Sequence, residues 1–140
     1  MSLSDELAQV GTRLAARESE IASRLGETRA RANQIHGKVS VGLEGFHRAA
    51  RDAGAPHLEV VLSDPRTDDK HLHSVQFDVT RGRHQVIVTV KSKGAITLVG
   101  PFKQGKDEGP CKRIDLDDDA GIDAGLAAVL AEFLENAFTP

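Results

Sequence analysis

Histidine supplies the first candidate chemistry. His71-Leu72-His73 places two imidazoles on one face of an extended segment, with Asp68, Asp69 and His84 close by in the chain. Imidazole and carboxylate are the donors of zinc-type sites, so a divalent cation is what this set could take. The spacing matches no metal signature, and loop histidines are ordinarily solvated, so no metal is assigned. His36 and His47 would lie about three helical turns apart, too far to share one ion. Both read as surface residues.

Cys111 is the single cysteine, followed by the cations Lys112 and Arg113, which favour the thiolate. No histidine can be assigned as its partner, so it is not read as a nucleophile. A lone thiol forms no intrachain disulfide and suits a reducing compartment. Asp117-Asp118-Asp119 with Gly121 and Asp123 superficially suggests a calcium loop. An EF-hand closes on a glutamate at its twelfth position, and counting from Asp117 that position is Ala128. The acidic run reads as a helix cap.

Basic residues gather near the turns: Arg81, Arg83, Lys91, Lys93, Lys103, Lys106, Lys112 and Arg113. Successive hairpins of a β-meander fall at opposite ends of the sheet. Arg81, Arg83, Lys103 and Lys106 should therefore share one end, where they could hold an anion. Asp107 and Glu108 dilute that patch. The segment Gly100 to Gly105 lacks the glycine-lysine-serine/threonine ending of a phosphate-binding loop.

These residues must be positioned by a chain of 140 residues, room for one domain. Hydrophobic residues are 39% and charged residues 28%, ordinary globular usage. The net charge of -3 and the absence of Trp and Tyr argue against a dedicated nucleic-acid binder, which needs a basic surplus and stacking platforms. No apolar run approaches a membrane span, and Met1-Ser2-Leu3-Ser4-Asp5-Glu6 lacks the features of a secretory signal. The expected location is cytoplasmic.

Leu7, Val10, Leu14, Ile21, Leu25, Ala32, Ile35, Val39, Phe46 and Ala50 recur at steps of three, four and seven, the period of an amphipathic helix. Ser2 with Asp5, or Ser4, caps the start; Gly54 and Pro56 supply the stop. Glu20 with Arg24 and Glu27 with Arg31 are i,i+4 pairs in the favourable order. Gly37, Gly42 and Gly45 weaken the middle, where Val39, Val41 and Leu43 also alternate as in a strand; helix is preferred, with a kink near Gly37. Strands are expected at Leu58–Leu62, around Val75–Val79, at Val86–Val90, at Ile96–Leu98 stopped by Gly100-Pro101, and at Lys112–Leu116. After the cap at Asp117–Asp119, a closing helix presents Ile122, Leu126, Val129, Leu130, Phe133, Leu134 and Phe138.

The expected fold is thus α+β: a single domain with a helical arm over 1–54, an antiparallel meander of four to five strands over 57–116, and a closing helix over 118–138 on one sheet face. A helix of about fifty residues would run ~75 Å, against a body ~25–30 Å across. Its apolar stripe outruns what one body can cover. The expectation is a homodimer formed through Leu7, Val10, Leu14, Ile21 and Leu25 in the manner of a coiled coil, although Arg17, Arg24 and Thr28 interrupt the heptad. The function that follows is a non-enzymatic, cofactor-free protein-interaction or scaffold domain. The alternative is a small-molecule or anion-binding module at the basic hairpin end.

Overall fold

A computed structural model of the chain describes residues 1–67, 73–105 and 109–139. It is α+β. Helix α1 (Leu3–Ser23) and helix α2 (Leu25–Asp52) form one long bent helix. Strands β1 (Val61–Leu62), β2 (Arg66–Thr67), β3 (Ser74–Arg81), β4 (His84–Lys91), β5 (Ala95–Lys103) and β6 (Cys111–Asp115) precede helix α3 (Asp119–Phe138). The sheet is antiparallel in the order β1-β3-β4-β5-β6, with β2 also on the free edge of β3.

Ser2 begins the long helix as a capping box, its hydroxyl accepting from the Asp5 amide while the Asp5 carboxylate accepts from the Ser2 backbone. The bend falls at Arg24, not near Gly37. The Ser23 hydroxyl donates to the Glu20 carbonyl at 2.7 Å, taking the acceptor that the Arg24 amide would use in an α-helix. The Arg24 amide turns to Ile21 instead, and the helix axis is broken there. Residues 37–45 stay helical because Ile35, Val39 and Leu43 are buried beside the glycines, and their packing outweighs the glycine penalty. Glu20 pairs with Arg24 at 2.8 Å, whereas Arg31 leaves Glu27 for Asp119 and the Leu116 carbonyl. Lys38 meets Asp123 at 2.9 Å, and the Phe46 and Phe138 rings lie 5.9 Å apart. These contacts advance in step, so α2 and α3 run side by side in the same direction.

Both helices cover one face of the sheet. The period-2 pattern of β3 and β4 puts Val75, Phe77 and Val79 in register with Val90, Val88 and Val86, and all are buried. Ile96, Leu98 and Ile114 extend that face, and Ala32, Ile35, Val39, Ile122, Leu126 and Phe133 close over it. At Gly125 an added Cβ would stand 2.7 Å from Ile114 Cδ1 and 3.2 Å from Leu98 Cδ1, so α3 lies close on the sheet there and a larger residue would require those side chains to shift.

The first strand is shorter than expected. Leu58 to Val60 do not pair with the sheet; the Val60 amide donates to His47 Nε2 at 3.1 Å instead, with the Val60 side chain in the core. Ser63 then bonds Asp78 through both its amide and its hydroxyl, and after Pro65 the edge resumes as β2, which the sequence pattern does not announce. The fourth expected strand is longer: β5 runs through Gly100-Pro101, a cis peptide, to Lys103. Gly100 has φ +121° opposite the bulge between Gln85 and Ile87, and a Cβ there would lie 2.8 Å from the Gln85 carbonyl oxygen.

Candidate functional site

The sequence of α1 writes an apolar line, Leu3, Leu7, Val10, Leu14 and Ile21, that the bend hands on to Leu25, Thr28 and Ala32 of α2. On α2 the line goes under cover, Leu25 in part and Thr28 and Ala32 completely. On α1 no residue is buried: Leu3 is 72% exposed, Leu7 59% and Leu14 50%. The expected interaction set therefore divides. Leu7 and Leu14 stand in the open, Val10 and Ile21 are half-buried, and Leu25 packs against the core.

The division has a structural cause. Thr28, 4% exposed, brings its hydroxyl within 3.1 Å of Ser92 Oγ at the β4–β5 turn, which docks the start of α2 on the end of the sheet. About three helical turns earlier, Glu18 Oε1 lies 2.8 Å from His73 Nε2 just before β3. From there toward the N-terminus α1 continues for about 22 Å, at 1.5 Å per residue, with no buried residue. Asp5 lies away from the apolar line, Glu6 and Arg13 flank it, and Arg17 interrupts it.

The other face of the sheet is mainly polar, with Val61, Ile87 and Val99 among its residues, and bears no helix among the described residues. Across it runs a chain of hydrogen bonds: Gln104 Nε2 donates to Gln85 Oε1, and Gln85 Nε2 donates to Asp78 Oδ2 at 2.7 Å. Arg66 completes it, 3.5 Å from Asp78 Oδ1. Burial alone would push the Asp78 carboxyl up, but the Ser63 and Gln85 hydrogen bonds and the Arg66 cation together hold it below its ordinary value. Composition gave no hint of this network. The available signal was Asp78 alternating out of phase with Val75, Phe77 and Val79, opposite an edge that carries Ser63 and Arg66.

At the basic end, the β3–β4 turn and the end of β5 do come together. His84 is in register with Lys103, and Arg83 donates to the Gln104 carbonyl from Nε at 3.1 Å. The Arg81 guanidinium lies 4.1 Å from the Phe138 ring centroid, a cation–π contact. Two of the four expected anion ligands are thus engaged by the protein itself, and Lys106 lies outside the described residues. Beside them a shallow cleft of about 340 Å³ is lined by His84, Phe102, Lys103, Asn136 and Thr139.

His71, Asp68 and Asp69 also lie outside the described residues, and His73 is turned to Glu18. Among the described residues no three His, Cys, Asp or Glu side chains gather as metal ligands. Asp118 caps α3 through the Gly121 amide at 2.9 Å. Cys111 is exposed on β6 opposite Val99. His36 and His47 are half-buried fasteners rather than surface residues. His36 Nε2 lies 2.9 Å from the Ser63 carbonyl oxygen, with its ring edge-on to Phe77, and His47 holds Val60. No helix of the described residues is long and apolar enough to cross a membrane.

No family model, no curated protein and no solved structure matches this chain.

Proposed function

We propose that this protein is a non-enzymatic interaction domain that self-associates through α1. The observation that carries the reading is the exposure of Leu3, Leu7 and Leu14 on the same helical line that α2 buries on the sheet. Exposed apolar side chains aligned along one helix face are stabilised by removal from water, and no residue of α1 is buried on its own chain. A short seam gives a weak, reversible dimer, with a dissociation constant expected between about 10 µM and 1 mM.

Hydrogen exchange on the full chain tests this. Amides of residues 6–16 should exchange more slowly as protein concentration rises from about 10 µM to 1 mM, while the sheet amides stay unchanged. Exchange in α1 that is independent of concentration argues against association through this helix.

A second reading, an anion- or small-molecule-binding module, draws on the cleft beside His84 and Lys103. Arg81 on Phe138 and Arg83 on Gln104 weaken it, because each would have to leave a contact it already makes. Chemical-shift changes confined to His84, Lys103 and Asn136 on titration with inorganic phosphate would support it, and silence there would remove it.

A further inference from the structure

The uncovered part of α1 carries enough pattern to fix how the two copies are arranged. Leu3, Leu7, Val10 and Leu14 follow one another at steps of four, three and four, a heptad seam. Its next position is Arg17, a charge that no apolar layer accommodates. Glu6 and Arg13 precede Leu7 and Leu14 and so flank the seam on the same side; Ser4 and Gly11 flank the other.

We propose that two copies pair antiparallel, with Leu3 against Leu14 of the partner subunit and Leu7 against Val10 of the partner subunit. The proposal rests on the self-association above. In this register Glu6 meets Arg13 of the partner subunit, and by symmetry Arg13 meets Glu6 of the partner subunit. Arg17 falls beyond the end of the facing helix and stays in water. Ser4 and Gly11 face one another on the second flank, where nothing obstructs: a Cβ added at Gly11 would meet no atom within 4 Å. The seam ends before Glu18, which stays with His73.

The parallel arrangement fits worse on each count. It sets Arg17 against Arg17 in the seam. It places Glu6 beside Gly11, and it gives Arg13 only Glu18, already held by His73. Two like charges facing each other across an apolar seam are costly, and the flanks return little.

Charge reversal in the full chain separates these arrangements. All the altered side chains are exposed, so the fold is untouched. Glu6→Arg alone and Arg13→Glu alone should each raise the dissociation constant about tenfold or more, since two attractions become two repulsions. The double variant should return to within about threefold of wild type. Mixing the two single variants should give a heterodimer about as tight as wild type. The Glu6→Arg chain then carries only basic groups along this flank, and the Arg13→Glu chain only acidic ones, so every facing pair attracts. A wild-type dimer that ignores both reversals, or single variants that do not recover on mixing, would overturn the antiparallel register while leaving association through α1 standing. A wild-type chain that is monomeric at about 1 mM would overturn the association itself.

Discussion

Glu18 Oε1 and His73 Nε2 are 2.8 Å apart, and they sit where the N-terminal helix parts from the body. Behind this contact the helix line goes under cover, Ile21 and Leu25 in part and Thr28 and Ala32 completely. Ahead of it Leu14, Leu7 and Leu3 are exposed. The pair is partly solvated, so its contribution to global stability is small, on the order of 0–1 kcal/mol. Its effect should be local. Glu18→Ala is expected to speed hydrogen exchange around residues 17–24, with a thermal midpoint lowered by no more than about 3 °C. A loss well beyond that would mean that α1 stabilises the body far more than its exposure implies.

Phe133 is fully buried between α3 and the sheet, while Leu130, also on the apolar stripe, is only half-buried. Phe133→Ala should therefore destabilise the chain by ~3–5 kcal/mol, and Leu130→Ala by clearly less. Denaturant unfolding of both variants measures the difference. Equal losses would contradict the packing described for α3.

Asp78 ties the edge strand to the open face of the sheet. Burial of its carboxyl is outweighed by Ser63, Gln85 and Arg66, which hold it below its ordinary value of 3.8. A depressed carboxyl contributes stability that is present above the pKa of the unfolded chain and is lost as pH falls through the folded value. Wild type should thus lose thermal stability from about pH 4 downward. Asp78→Asn should be less stable at pH 7 and show a shallower fall over that range. Parallel melting curves for the two proteins between pH 6 and pH 2.5 would contradict this role for the carboxylate.

At Gly100 the backbone has φ +121°, and a Cβ would meet the Gln85 carbonyl oxygen at 2.8 Å and Val86 Cα at 3.2 Å. Both are backbone atoms of the neighbouring strand, which cannot swing aside. Gly100→Ala should cost about 1–3 kcal/mol by urea unfolding. Gly11→Ala has no such neighbour and should be neutral or slightly stabilising in the monomer.

The strongly periodic parts of the fold were legible in the sequence. Leu7 to Ala50 read as helix, Val75–Val79 and Val86–Val90 as strands, and Ile122–Phe138 as a closing helix, because one burial period governs each. What was not legible depended on competition between hydrogen bonds. Gly37 looks like the bend, yet the helix runs unbroken past it, where Ile35 and Val39 are buried, and is interrupted at Arg24, where the Ser23 hydroxyl takes the Glu20 carbonyl. His36 and His47 looked like surface residues, yet their ring nitrogens meet Ser63 and Val60, contacts that no sequence spacing announces. Arg81 and Arg83 were legible as neighbours of Lys103, but not their engagement with Phe138 and Gln104. The stripe of α1 was legible as apolar, and Leu25 as its continuation. That Leu25 turns to the core while Leu14 does not follows only from where the sheet ends.

Sedimentation equilibrium of the full chain between about 20 µM and 1 mM tests the central claim most directly, because association depends on concentration and the fold does not. The account predicts a mass that climbs from monomer toward dimer for wild type. It predicts a monomer throughout for Leu7→Asp and Leu14→Asp, with unchanged melting, since neither side chain is buried in the body. A wild-type mass that stays at one chain up to the highest concentration, or a dimer that survives both substitutions, would contradict it.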